Sequence, residues 1–94
     1  MAADDTTTTV AELRILVDDF VRQRDWTQFH SPKNLAMALA VEAAELMEHF
    51  QWGEVAESRE VSLQPEKLAA VAEEISDVLA YTLAIANSLG VDLS

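Results

Sequence analysis

The chain has 94 residues, half of them apolar, with 17 acidic side chains against six basic ones and a formal charge of −11. That length fits one domain, and that charge argues against nucleic acid held through its phosphates and against an anionic membrane surface. Cysteine is absent, which excludes disulfides and thiolate metal sites; no apolar run nears the roughly 18 residues of a spanning helix and no signal peptide is visible, so a soluble, cytoplasmic protein is expected.

"MAADDTTTT" is polar and repetitive, and residues 1–8 read as a disordered leader to a single domain over 9–94. Thr9 and Glu12 have capping-box spacing, and Leu13, Leu16, Val17, Phe20 and Val21 follow at helical spacing. The first helix is therefore predicted from Val10 to about Arg24. "RDWTQFHSP" is an aromatic connector whose Ser31-Pro32 supplies an N-cap and a first-turn proline. The second helix is predicted from Pro32 to about Phe50. "GEVAESREVSLQ" breaks the pattern and reads as a loop with room for a short helical turn. Pro65 opens a third helix that runs to Leu89 and stops at Gly90; its 25 residues would span ~37 Å. No strand pattern competes, so the fold class is all-α.

The third helix is apolar over more than half of its circumference. Leu68, Val71, Ala72, Ile75, Val78, Leu79, Ile85, Ala86 and Leu89 share one broad side, and Ala70, Ala80 and Ala84 fill much of the rest. Three helices in a chain of this length can hardly surround it. A homo-oligomeric bundle, in which another subunit supplies the cover, is the expectation.

Acidic pairs three apart are common in so acidic a chain. There are five, and most read as solvated faces. Two are unusual in their angular position. Glu42 and Glu45 lie with His49 at the edge of a core stripe of Leu35, Leu39, Ala43, Leu46 and Phe50, with Val41 and Ala44 beyond. Glu74, Asp77 and Tyr81 form a stripe on the third helix. Each pair makes a two-carboxylate claw, and if the stripes face each other four carboxylates converge. Burying ionised carboxylates without a counter-charge costs several kcal/mol or forces protonation. The basic residues (Arg14, Arg22, Arg24, Lys33, Arg59, Lys67) are scattered. All-oxygen ligation then points to Mg2+, with Mn2+ as the alternative ion. The Glu-x-x-His motif of di-iron bundles is absent, since His49 stands four residues after Glu45; His49 reads as a surface residue or as support for a ligand.

"EAAE", 28 intervening residues and "EISD" form an E-x-x-E…E-x-x-D signature. With "RDWTQFHSPKNL", "EAAELMEHFQW" and "EEISDVLAYTLAIANSLGVDL" at their flanks, the chain resembles the MazG-like all-α nucleoside triphosphate pyrophosphohydrolases over about Leu13 to Leu93, and within them the dCTP pyrophosphatase branch. The resemblance implies Mg2+-dependent cleavage of a deoxynucleoside triphosphate, dCTP or a modified dCTP, to the monophosphate and pyrophosphate, as clearance of a nucleotide pool. It implies that Glu42, Glu45, Glu74 and Asp77 hold the metal, with Glu45 as the carboxylate that orients or deprotonates water. Trp26 and Trp52 would border the base, and His30, Lys33, Asn34 and Tyr81 are further substrate contacts. The bland alternatives are core anchors for the two Trp residues, a structural His30 and a first-turn surface Lys33.

Two departures from the family pattern bear on substrate. Where some relatives carry a histidine on the first helix, this chain has Val17. Relatives also continue past the equivalent of "GVDLS" into a helix whose lysine and asparagine side chains contact the triphosphate. On that resemblance the sequence is shortened, or a partner subunit supplies those groups, or activity is weakened. A homodimer or homotetramer fits the resemblance equally. The rival readings are a broader or dUTP-directed pyrophosphohydrolase and a non-catalytic helical dimerisation module.

Overall fold

The Thr9 hydroxyl accepts the Glu12 backbone N–H at 3.1 Å, and the Glu12 carboxylate accepts the Thr9 N–H at 3.3 Å, so both halves of the capping box form and α1 (Val10–Gln23) starts where its sequence says. The structure, a computed structural model, describes residues 3–94. The first two residues of the expected leader lie outside that range; from Asp4 to Thr7 the chain makes a turn in which the Asp4 carboxylate accepts the Thr6 N–H. After a 3₁₀ turn (Thr27–Phe29), Ser31 caps α2 (Pro32–Glu48) by accepting the Asn34 N–H at 3.1 Å. The expected loop contains a one-turn helix, α3 (Val55–Ser58), and a second 3₁₀ turn (Val61–Leu63). Pro65 then opens α4 (Pro65–Leu89). Among the described residues there are thus four α-helices, three of them long, and no strand.

Two helices stop one or two residues early. α2 ends at Glu48 because the His49 and Phe50 N–H groups turn to the Leu46 and Met47 carbonyls, three residues back, which tightens the last turn. α1 and α4 end alike, in a Schellman pair of hydrogen bonds. In α4 the Val91 N–H reaches the Ala86 carbonyl at 3.0 Å around Gly90, which sits at φ 64°. In α1 the Trp26 N–H reaches the Val21 carbonyl at 3.0 Å around Asp25, a non-glycine residue held at φ 54°.

α4 is the central beam. α2 packs along it most extensively, α1 packs on it more sparingly, and the Val61–Leu63 turn also packs on it. α1 and α2 hardly touch each other. Leu35, 2% exposed, is the deepest side chain, and Val21, Val61, Val71, Leu83, Ala84 and Ala86 complete a small core. A reciprocal pair ties α1 to α4: Arg14 Nε donates to Asn87 Oδ1 and Asn87 Nδ2 donates to the Arg14 carbonyl, both at 3.0 Å.

Much of the apolar surface is left outside this core. Leu68, Ala72, Ile75 and Leu79 form an exposed stripe along α4, one helical face. The accessible surface is 7168 Å², where a compact monomer of 10.4 kDa would show roughly 5,400 Å². The radius of gyration, 15.3 Å, likewise exceeds the ~12 Å of a compact domain of this length. No helix among the described residues is long and apolar enough to cross a membrane.

The C-terminal stop of α4 gives a clean stability test. A methyl group at Gly90 would meet no atom within 4 Å, so the cost of Gly90→Ala is conformational alone, about 1 kcal/mol for a left-handed alanine. Denaturant unfolding should show that loss with an unchanged m-value; an unchanged midpoint would mean that the last turn of α4 is frayed.

Candidate metal centre

Glu42 and Glu45 stand one turn apart on α2, and the packing of α2 against α4 sets them opposite Glu74. One carboxylate oxygen from each of the three lies within 4.8 Å of the others, and all three side chains are half-buried. Glu42 Oε2 and Glu74 Oε2 are shielded from water and have no hydrogen-bond partner among the described residues. No basic side chain answers them; the one ion pair among the described residues is Arg22 with Asp18 on the surface of α1.

This setting pushes the Glu42 carboxyl from an ordinary 4.5 up to about 7. Loss of hydration is the leading cause, followed by the Glu74 carboxyl, with which a protonated Glu42 can share its hydrogen, and then by the charges of Glu45 and Asp77. Ionised together, Glu42 and Glu74 have nothing to donate to each other, which is why both oxygens are orphaned. A proton or a cation satisfies them. Three converging carboxylates with no sulfur or imidazole donor are a hard-oxygen set suited to Mg2+ or Mn2+.

Asp77, the fourth expected ligand, stands beside this cluster and not in it. It is exposed, one turn after Glu74, and lines the edge of a neighbouring cavity of about 400 Å³ between α1 and α4. Val17, Phe20, Trp26, His30 and Tyr81 also line this cavity. Trp26 meets Phe20 edge-on at 5.6 Å and stacks on His30 at 6.5 Å. Carboxylates and an aromatic-walled cavity therefore adjoin, with Asp77 at the junction.

The other expected contacts are spread. Asn34 Nδ2 donates to the Phe29 carbonyl at 3.1 Å, so its amide braces the connector. Lys33 is exposed and forms no ion pair among the described residues. Trp52, 89% exposed, lies in the turn after α2 and does not line the cavity. His49 caps the end of α2. Phe20, Val21, Ala80 and Ala84 line the cavity but read from sequence as core. A signal for the cavity was present: on α4, Ala80 and Ala84 lie on the same side as Asp77 and Tyr81, and such small side chains leave room there.

The MazG-like family matches residues 37–94. The chain is 47% identical over 85 residues to dCTP pyrophosphatase 1 of Rattus norvegicus and 45% identical to that of Homo sapiens, covering 90% of this chain and 50% of each relative. It thus spans about half the length of the curated relatives it matches. A crystal structure of a pyrophosphatase from Archaeoglobus fulgidus superposes with a TM-score of 0.78 at 32% identity, over 98% of this chain and 82% of that one.

The raised Glu42 pKa predicts a pH dependence of known sign. Between about 4.5 and 7 the native state holds a proton that the unfolded chain releases. In metal-free buffer this contribution to stability is full below pH 4.5 and is lost as the pH rises through about 7. Melting temperatures of the parent should fall across that window relative to Glu42→Gln, and Mn2+ should remove the difference by replacing the proton. Parallel pH profiles for parent and variant would show that Glu42 is freely hydrated.

Proposed function

The chain belongs to the MazG-like family, and from that premise we propose that it is a divalent-metal-dependent nucleoside triphosphate pyrophosphohydrolase acting on dCTP or a modified dCTP in the cytoplasm. The observation that carries this reading is the pair of water-shielded oxygens of Glu42 and Glu74, set without a counter-charge beside an aromatic cavity. A helical interaction module has no use for that arrangement. The names of the relatives support the nucleotide substrate and, among bases, cytosine.

Glu42, Glu45 and Glu74 would hold Mg2+ or Mn2+, with Asp77 completing the set from the cavity side. When bound, such an ion neutralises phosphate charge and makes a coordinated water more acidic. Phosphoryl transfer asks the protein chiefly for positioning and electrostatics. Glu45 takes the proton of the attacking water, and that water adds in line to one phosphorus of the α–β bridge. The bridging P–O bond breaks, its electrons leaving with the departing phosphate, so that triphosphate and water become monophosphate and pyrophosphate. Trp26, His30 and Tyr81 line the space for base and sugar, while Val17 gives the base an apolar neighbour. Lys33 serves as a phosphate contact, the Asn34 amide braces the connector, and Trp52 stands exposed in the turn after α2.

A second copy of the chain is the proposed cover. The excess accessible surface and the stripe of Leu68, Ala72, Ile75 and Leu79 suit the larger, apolar kind of interface found in obligate homo-oligomers. Sedimentation should give at least twice the 10.4 kDa chain mass, and Ile75→Glu should lower it toward that of one chain. A monomeric parent would overturn a second copy as the cover.

The activity is tested by pyrophosphate release across deoxy- and ribonucleoside triphosphates with Mg2+. Glu42→Gln and Asp77→Asn should each lose at least ~100-fold in turnover, the scale of several kcal/mol of metal positioning. Near-parental turnover in either variant removes that residue from the site. A preference for dUTP would reassign the base, and no release with any nucleotide, together with no Mg2+-dependent rise in melting temperature, would leave the interaction module standing.

A further inference from the structure

Phe20 and Trp26 form one wall of the cavity between α1 and α4, yet they are 45% and 42% exposed. Packing alone does not fix two half-exposed rings. Behind them, outside the cavity lining, lies Arg24. Its guanidinium carbon is 3.4 Å from the Phe20 ring centroid and 5.8 Å from that of Trp26. Its Nη1 donates to the Phe20 carbonyl at 3.4 Å. Phe20 meets Trp26 edge-on, and Trp26 stacks on His30. A continuous train, Arg24 to Phe20 to Trp26 to His30, thus runs from solvent into the cavity.

The backbone is bent to make this train. Asp25, at φ 54°, lies in the left-handed region that non-glycine residues seldom enter. Its turn folds Trp26 back over the last turn of α1, where the Trp26 N–H meets the Val21 carbonyl. In a chain with 17 acids, the Arg24 guanidinium makes no ion pair among the described residues. It lies instead on an aromatic face, where a planar cation is attracted by the ring quadrupole.

We infer that Arg24 is a positioning residue for nucleotide binding: stacked on Phe20 behind the cavity, it holds the Phe20–Trp26 wall in the orientation that receives the nucleobase. The inference rests on the cavity being the base site of the pyrophosphohydrolase proposed above. A pre-ordered wall spares the ligand the entropy of ordering two aromatic side chains. The effect therefore belongs in affinity and not in the chemical step. The ammonium of lysine cannot cover the ring as a guanidinium does, so the retained charge of Arg24→Lys does not replace it.

Arg24→Ala and Arg24→Lys in the full chain test this with three readouts. The first is kcat and KM for pyrophosphate release from dCTP. The second is the Mn2+-dependent shift in melting temperature. The third is the time-resolved fluorescence anisotropy of Trp26 without nucleotide, in a Trp52→Phe background. Both variants should raise KM about fivefold, leave kcat and the Mn2+ shift at parental values, and give a more mobile indole. Parental KM and anisotropy in Arg24→Lys would overturn the stacking role. A joint fall in kcat and in the Mn2+ shift would overturn it in favour of a general structural one. If the parent itself releases no pyrophosphate, the pyrophosphohydrolase reading fails; the anisotropy then decides the clamp separately, a parental value overturning it and a looser indole sustaining it.

Discussion

Like charges facing each other across a helix seam are the constraint around which this molecule is organised. α2 and α4 make the largest contact in the chain, and at its centre Glu42 and Glu74 each turn an oxygen away from water toward the other. Nothing in the surrounding packing answers them. A seam of this kind holds only with a proton or a cation inside it, so the fold and the site share one electrostatic requirement. The most extensive helix pair accordingly comes with a modest core: Leu35 of α2 and Val71 of α4 are buried, and the seam also has to hold carboxylates.

Turning the acidic stripe of α4 inward turns part of its apolar side outward. In an ordinary amphipathic helix the hydrophobic face is the one that is buried. Here Ile75 and Leu79 are exposed while Glu74 is half-hidden. The chain by itself has an inverted layout along α4, and its surface area and radius of gyration express the same imbalance.

Helix ends were legible because they depend on local chemistry: the Thr9–Glu12 box, the Ser31-Pro32 start, and Gly90. The claws were legible too, since residues three apart on a helix share a face whatever the tertiary structure. The spacing of Glu74 and Asp77 could not say how that face divides between neighbours. α2 takes Glu74 and α1 takes Asp77 into the edge of a separate cavity, and this depends on where two other helices cross α4. Val61 in the irregular segment was missed for a similar reason: one buried valine in a polar stretch carries no periodicity. Phe20 fell on the apolar spacing of α1, but a ring that lines a cavity has the same spacing as a ring that fills a core.

The way α1 is attached to the rest of the chain separates the cavity from the carboxylates. α1 rests mainly on α4, and the polar bond between them, Arg14 to Asn87, sits near the start of α1 and the end of α4. It ties one end of the two-helix contact. Toward the other end of α1, Val21 is buried in the core and Phe20 walls the cavity, whereas Glu42, Glu45 and Glu74 are gathered by α2 and α4. Cavity and carboxylates thus answer to different helix pairs, so a substitution on α1 can reshape the one and spare the other.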